Sequence, residues 1–261
     1  MDLGLTDATA VVVGGGRGMG FAAARCLAED GARVAVVGRT KDVLERAAKD
    51  LTECGSPDAL GLVADTTDAA QVQRVFDELS ERWHGELNAL INAVGPSTRG
   101  TFEDLTDARW REAFDDGVMG MVHCVRSALP MLRKAGWARI VNFSAHSTQR
   151  QTVILPAYTA AKAALTSISK NLSLLLAKDE IMVNVVSPGS IASEALRGWG
   201  GLGGRRRQRP LRADGRHRQA LRSPGASASR RPARGDRACR RVSRVEAQLV
   251  HDRRQHQRRR R

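Results

Sequence analysis

The chain has 261 residues, of which 42% are hydrophobic, and it carries a formal net charge of +14 at pH 7. This length suits one α/β domain, and no apolar run approaches the roughly 18 residues that would predict a membrane span. Four scattered cysteines without metal-ligand spacing, and an N-terminus without a signal-peptide pattern, favour a cytoplasmic protein with reduced thiols.

Residues 1–198 alternate between apolar strand patterns and amphipathic helix patterns. Six nearly continuous apolar segments predict strands, at 8–14, 33–38, 59–65, 87–95, 138–144 and 181–189. Helical patterns lie between them, at about 19–31, 41–55, 68–83, 107–136 and 156–178. Buried strands that alternate with helices predict a parallel sheet covered on both faces. With right-handed crossovers this is a Rossmann-type, doubly wound α/β fold with three α/β/α layers.

The first predicted strand runs into a glycine turn that opens the first helix. The turn contains Gly14, Arg17, Gly18, Met19 and Gly20. Glycines let the backbone approach a pyrophosphate, and a helix N-terminus offers free N–H groups and the positive end of its dipole. A tight turn alone would explain a glycine cluster, but its place between a strand and a helix favours a dinucleotide site.

The end of the second strand indicates which nicotinamide cofactor binds. An acidic residue there would read the 2′-hydroxyl of NAD, whereas an arginine accommodates the 2′-phosphate of NADP. The strand ends at Gly38 and is followed by Arg39, and Arg17 lies in the glycine turn. These arginines favour NADP, with NAD as the alternative; Arg39 could also simply solvate a strand end.

A tyrosine and a lysine lie four residues apart in the last predicted helix. Tyr158 is the only tyrosine in the chain, and Lys162 follows it on the same helix face. A phenol has a pKa near 10, and a nearby ammonium would lower it. The pair therefore predicts a general acid/base, although a helix-surface pair would give the same pattern.

Taken together, residues 1 to about 198 resemble the short-chain dehydrogenase/reductase family. The motifs that carry the resemblance occur in the family's order: Gly14, Gly18 and Gly20; Asp65 after the third strand; Asn92–Gly95; Tyr158 and Lys162; and Asn184–Gly189. The resemblance implies hydride transfer between NADP(H) and a carbonyl or alcohol substrate, such as that of a 3-oxoacyl reductase. A homodimer or homotetramer is also implied, although its contacts would include a C-terminal segment that this chain lacks.

The resemblance also implies a role for each matched residue. Tyr158 would exchange the proton of the substrate oxygen, and Lys162 would lower its pKa and bind the nicotinamide ribose. The remaining cofactor contacts would come from Asp65 at the adenine, Asn92 and Gly95 beside the cofactor, and Pro188 and Gly189 at the nicotinamide.

The sequence departs from the family pattern at three positions in this region. The serine expected thirteen residues before the tyrosine is Ala145, so Ser144 is predicted to assist catalysis, with Ser147 as the alternative if the loop folds back. Gly117 stands where the family has a water-holding asparagine, so the usual proton relay is absent or differently built. Val13 replaces a threonine before the first motif glycine.

The fourth departure is the C-terminal quarter. Residues 199–261 contain 21 arginines, no lysine and four acids, so this segment carries +17 and residues 1–198 carry −3. The composition predicts disorder, because little apolar surface is available to offset the entropy of ordering. An Arg-rich nucleic-acid-binding tail is the alternative function, but the segment has no interleaved aromatic residues.

The tail also has a second reading. Codons for residues 251–261, read one base later, can encode MTGANINVDGG, and codons for 235–250 can encode ATVPAAVFLASRLNSF in the same frame. Both strings match the apolar helix and last strand with which the family ends. The hypothesis is therefore a frameshift near codon 200, with a reductase domain over 1–198 and a non-native tail over 199–261. A chain without that strand is expected to fold poorly or to be inactive.

Overall fold

The computed structural model describes residues 4–189 and residue 191. Within them, helices follow strands in regular alternation. The strands are β1 (Thr9–Val13), β2 (Arg33–Gly38), β3 (Ala59–Val63), β4 (Ala89–Asn92), β5 (Ala138–Phe143) and β6 (Ile181–Val186). The helices are α1 (Gly18–Glu29), α2 (Lys41–Glu53), α3 (Ala69–Arg82), α4 (Asp107–Phe114), α5 (Gly120–Lys134) and α6 (Pro156–Leu175). The predictions about the Arg-rich tail lie outside the described residues.

The six strands form one parallel sheet in the order β3-β2-β1-β4-β5-β6. β1 lies in the middle and pairs with β2 on one side and β4 on the other. The strand order reverses there, and in such sheets ligands bind at the carboxyl ends of the strands beside the reversal. The predicted doubly wound fold is confirmed.

Two hydrophobic clusters, one on each face of the sheet, form the core. Val11 and Val13 of β1 pack into one cluster, and Ala10 and Val12 into the other. Successive side chains of a strand point to opposite faces, so a strand covered on both faces must be apolar throughout. This explains the unbroken apolar runs in the sequence.

The helix predicted over 107–136 is interrupted. α4 ends at Phe114, a π-helical turn follows over Asp115–Met119, and α5 begins at Gly120. A Cβ on Gly117, inside the turn, would lie 2.9 Å from Ala161 Cβ and 3.0 Å from Pro96 Cδ. The close approach of α6 and of the segment after β4 is a tertiary effect, and helical periodicity could not predict it.

Two further searches cover the described part of the chain. None of its helices combines the length and hydropathy needed to cross a membrane. No group of three His, Cys, Asp or Glu side chains within it could hold a metal ion.

Candidate active site

The glycine turn after β1 brings backbone atoms very close together. A Cβ on Gly20 would lie 2.2 Å from the carbonyl oxygen of Gly14, so only glycine fits there. Gly14 and Gly18 have φ values of 79° and 62°, a region that strongly favours glycine. A Cβ on Gly18 would meet no atom within 4 Å. The turn is therefore closely packed at Gly20 and open at Gly18. A turn that cradles a phosphate group would have this form.

The N-terminus of α1 lies directly at this turn. Its first turn has no side-chain cap and no acidic residue, and the first N–H groups of any helix lack partners within the helix. Arg17 is exposed at the capping position, while Met19 packs partly against the core. The free N–H groups, the helix dipole and Arg17 together suit a pyrophosphate.

Arg39 and Asp65, predicted from separate motifs, line one cleft of about 440 Å³. The Asp65 carboxylate accepts hydrogen bonds from Thr67, at 3.0 Å from the backbone N and 2.8 Å from Oγ1. These bonds, helped by the positive charge of Arg39, lower the pKa of Asp65. Asp65 is therefore held as an ordered carboxylate beside Arg39.

The opposite wall of this cleft was not predicted. It is formed by residues of α4 and the π-helical turn, namely Ala108, Arg111, Glu112, Asp115 and Asp116. Burial raises the pKa of Asp116, although Arg39 opposes the shift. No motif marks these positions, and the break in the helix that contributes to this wall could not be predicted from helical periodicity.

Asn92 lies buried at the end of β4. Its Nδ2 donates to Asn142 Oδ1 at 2.8 Å, and Asn142 Nδ2 donates to Ser169 Oγ at 2.8 Å, which joins β4, β5 and α6. Asn92 Oδ1 has no partner among the described residues. An unsatisfied buried acceptor is costly, so Asn92 is a candidate to receive a hydrogen bond from a bound group.

Tyr158 and Lys162 lie in α6, and burial shifts the pKa values of both. It raises the pKa of Tyr158, and it lowers the pKa of Lys162 to about 8. The expectation that Lys162 lowers the pKa of Tyr158 is not met in this structure, because desolvation of the phenol is the cause that acts on it. The phenol is accordingly protonated at neutral pH.

The ammonium of Lys162 is bound by backbone oxygens. Nζ donates to Val94 O at 3.0 Å and to Phe143 O at 2.7 Å. Val94 lies two residues beyond β4, and Phe143 is the last residue of the neighbouring strand β5. Gly95, predicted as a cofactor contact, lies directly against this side chain. Main-chain partners leave no trace in a sequence, and these were not anticipated.

The structure separates the two serines proposed to replace the missing one at Ala145. Ser144 is 4% exposed, and its hydroxyl contacts Lys162 O at 3.2 Å and Thr166 Oγ1 at 2.7 Å, inside α6. With its hydrogen bonds made there, Ser144 is poorly suited to hold a substrate oxygen, contrary to the prediction.

Ser147 is the better placed of the two. Residues His146–Thr148 form a short 3₁₀ turn, which folds the loop back as the alternative required. Thr159 Oγ1, next to the tyrosine in α6, donates to Ser147 Oγ at 3.0 Å. Since Ser147 accepts this bond, its own O–H remains able to donate to another group. Thr159 was missed because no motif includes it.

The segment after β6 meets the loop after β5. The backbone N–H of His146 donates to Pro188 O at 2.9 Å, so Pro188 and Gly189 lie beside the turn that carries Ser147. The loop after β4 also contacts the loop after β5, because Gly100 N donates to Ile154 O at 3.1 Å. Three loops thus converge at the carboxyl edge of the sheet, and three exposed apolar side chains, Phe102, Val153 and Ile154, lie in them.

Comparison with known proteins agrees with this geometry. The sequence profile described as short chain dehydrogenase matches residues 8–200. An uncharacterized oxidoreductase of Staphylococcus aureus strain MW2 is 31% identical over 188 residues, which are 72% of this chain and 79% of that protein. An oxidoreductase of Sarocladium schorii, asL5, is 29% identical over 190 residues, 73% of this chain and 74% of that one.

Solved structures give the same result. L-Sorbose reductase from Gluconobacter frateurii, complexed with NADPH and L-sorbose, matches with a TM-score of 0.71 and 29% identity over 74% of this chain and 73% of that one. Actinorhodin polyketide ketoreductase with NADPH matches with a TM-score of 0.68 and 29% identity, covering 72% of each chain. With a Rossmann-type sheet, a glycine cradle and a Tyr-Lys helix in place, the chain belongs to the short-chain dehydrogenase/reductase family of oxidoreductases.

Proposed function

We propose that the protein is an NADP(H)-dependent reductase of carbonyl compounds. The observation that carries the proposal is the position of Tyr158 in α6, one helical turn before the buried Lys162, whose amine lies at the carboxyl edge of the sheet. Burial raises the pKa of the Tyr158 phenol. Reduction of a carbonyl requires a proton at oxygen, and an acid that is protonated at working pH can supply it.

The proposed cofactor is NADP rather than NAD. Gly14, Gly18, Gly20 and the N–H groups of α1 would hold the pyrophosphate, and Arg17 and Arg39 would meet the 2′-phosphate. The two solved relatives above were determined with NADPH, which supports this choice. When bound, the nicotinamide would supply the hydride. Asp65, Asn92, Gly95, Pro188 and Gly189 would complete its surroundings.

The reacting oxygen would be held by two groups. Tyr158 would donate its proton, and Ser147 would donate a hydrogen bond that orients the carbonyl. Lys162 would keep a positive charge near this oxygen below pH 8, the value to which burial lowers its pKa. The negative charge that develops on the oxygen is thereby stabilised in a site of low polarity.

The proposed substrate class is a carbonyl compound with an apolar body, of which a 3-oxoacyl derivative is one example. The exposed side chains of Phe102 and Val153 support this class, since both lie in loops at the carboxyl edge of the sheet. An apolar side chain at the mouth of a site favours apolar substrate surface through the hydrophobic effect.

The extent of the functional domain is a further part of the proposal. We place the reductase domain at 1–198 and attribute 199–261 to a frameshift, because the arginine excess is confined to the tail and the next frame can encode the family's closing strand. This accounts for the basic charge without a nucleic-acid-binding role.

The test of the proposal compares the full chain with Tyr158→Phe. NADPH should raise the melting temperature of both proteins more than NADH does, because binding to the native state stabilises it. If the chain reduces a carbonyl panel, the variant should lose about 10²–10⁴-fold in kcat/KM. Absence of any NADPH effect on melting would contradict the proposed cofactor, and an active Tyr158→Phe variant would contradict the proposed proton donor.

A further inference from the structure

We propose that Gly95 is a positioning residue, whose missing side chain leaves the space that the Lys162 ammonium occupies. A Cβ built on Gly95 would lie 2.6 Å from Lys162 Nζ and 2.7 Å from Lys162 Cε. Real Cβ atoms do not approach other heavy atoms so closely. Any larger residue at this position would therefore displace the end of the lysine side chain.

The lysine has no alternative position that keeps its partners. Lys162 is 3% exposed, and its Nζ donates to the carbonyl oxygens of Val94 and Phe143. A lysine side chain on a surface could rotate away from a new methyl group at little cost. Here rotation would break two hydrogen bonds of a buried cation, and a buried charge without partners is strongly destabilising.

The backbone that carries Gly95 cannot easily move either. The next residue, Pro96, is buried, and it packs closely on Gly117, as does Ala161 of α6. Val94, on the other side, approaches Gly14 in the glycine turn: a Cβ on Gly14 would lie 3.0 Å from Val94 Cγ2. A shift of Gly95 would therefore disturb the proposed cofactor cradle and the π-helical turn together.

These contacts explain how position 117 can be glycine in this chain. The lysine is held directly by two main-chain oxygens, so its orientation does not depend on a side chain at position 117. Gly117 instead gives Pro96 and Ala161 room to pack, and this packing fixes the segment that contains Gly95. The catalytic consequence rests on the proposed function, whereas the packing relation stands without it.

A double-mutant cycle tests the packing relation in the full chain. Gly95→Ala should lower the melting temperature by about 5 °C, from a typical overpacking cost. In a Lys162→Ala background, the amine that would clash with the new Cβ is absent. There Gly95→Ala should change the melting temperature by less than about 1 °C. Gly136→Ala is the matched control, because a Cβ there meets nothing within 4 Å.

Every result of the cycle decides the proposal. Equal losses in the two backgrounds would overturn it, because the cost would then not involve Lys162. If Gly95→Ala does not fold, a folded Gly95→Ala/Lys162→Ala protein supports the contact, and an unfolded one overturns it.

Chemical labelling shows where the amine goes. With an amine-reactive acylating reagent and peptide mass spectrometry, Lys162 should be protected in the parent and in Gly136→Ala, and labelled in Gly95→Ala. Protection in all three would contradict displacement. If Lys162 is displaced but a measurable kcat and its pH profile do not change, the positioning of Lys162 stands and the proposed catalytic role of Lys162 fails.

Discussion

At the scale of single residues, burial acts on Tyr158 and Lys162 in opposite directions. It disfavours the charged form of each group, so the phenol keeps its proton and the ammonium loses its proton more readily. At neutral pH the tyrosine is thus ready to give a proton and not to take one. This state suits reduction of a carbonyl, whereas oxidation of an alcohol would first require the phenolate.

The lowered pKa of Lys162 predicts a pH-dependent stability. Its folded value of about 8 lies below the ordinary value of 10.5, so the unfolded state binds the proton more tightly. Burial of the charge costs about 3 kcal/mol below pH 8. This cost disappears as the pH rises from 8 to 10.5, and stability should increase over that window.

Urea unfolding between pH 7 and 10.5 measures this effect. Lys162→Met is the reference, because it keeps the length of the side chain without the charge. Tyr158 and Cys124 also change stability at high pH, since burial raises the pKa of each. Both are present in the two proteins, so the difference between them isolates Lys162. A difference that does not vary with pH would contradict the buried ammonium.

The serines at 144 and 147 should respond differently to alanine. Ser147→Ala should lower kcat/KM for carbonyl reduction about tenfold or more, because a hydrogen bond to the reacting oxygen is lost. Ser144→Ala should instead lower the melting temperature, because its hydroxyl is buried against Thr166. Steady-state kinetics and thermal melts of both variants check this, and the reverse outcome would restore Ser144 as the assisting residue.

These residues mark the limit of what the sequence could predict about the site. The tyrosine, the lysine and the glycines were found because their spacing implies a shared helix face or turn. The choice between Ser144 and Ser147 depends on a 3₁₀ turn of three residues, and the partners of Lys162 are main-chain oxygens. Neither the turn nor the main-chain oxygens require a particular residue type, so no sequence motif could reveal them.

At the scale of elements, one ion pair joins the end of α3 to the start of β3. Arg82 donates to Asp58 from Nε at 2.8 Å and from a terminal nitrogen at 2.7 Å, and Trp83 Nε1 donates to Asp58 Oδ2 at 2.9 Å. The bond from Arg82 is the main reason that the pKa of Asp58 is lowered. The carboxylate thus fixes a helix end and a buried indole at once.

Asp58→Asn should lower the unfolding free energy by about 1 kcal/mol at pH 7, a modest value because Arg82 is half-exposed. The folded pKa lies below the ordinary value of 3.8, so this contribution is present above pH 3.8 and is lost at lower pH. Tryptophan fluorescence in urea measures it. Asp77→Asn, an exposed acid on α3, is the control, and equal losses in both would contradict the role of Asp58.

The strands and most helices could be predicted from the sequence, because burial imposes a hydrophobic pattern on each. Strands covered on both faces are apolar throughout, and helices are apolar along one face. The interruption of the helix at Asp115–Met119 could not. Its cause is the packing of Gly117 against Pro96 and Ala161, which lie about 20 residues before it and 40 residues after it in the chain. The sequence pattern records which face of a helix is buried, but not how closely its neighbours approach.

At the scale of the whole molecule, the charge of the chain separates into two parts, of which residues 1–198 carry −3 and residues 199–261 carry +17. The frameshift proposal predicts that a gene shifted by one base near codon 200 encodes a more stable protein. It should melt at a higher temperature than the present chain and bind NADPH more tightly. Resequencing the gene is the first control; a shifted product without these gains would contradict the proposal.

The sheet order has a consequence for how the protein is made. β1 leaves the ribosome first, β2 and β3 then extend the sheet on one side, and β4, β5 and β6 extend it on the other. Each new strand therefore finds its neighbour already synthesised, and none has to wait for a later segment. A nascent chain can add one strand at a time outward from the centre. The proposed change of reading frame lies after β6, so it would come only when every strand of the described sheet has been synthesised.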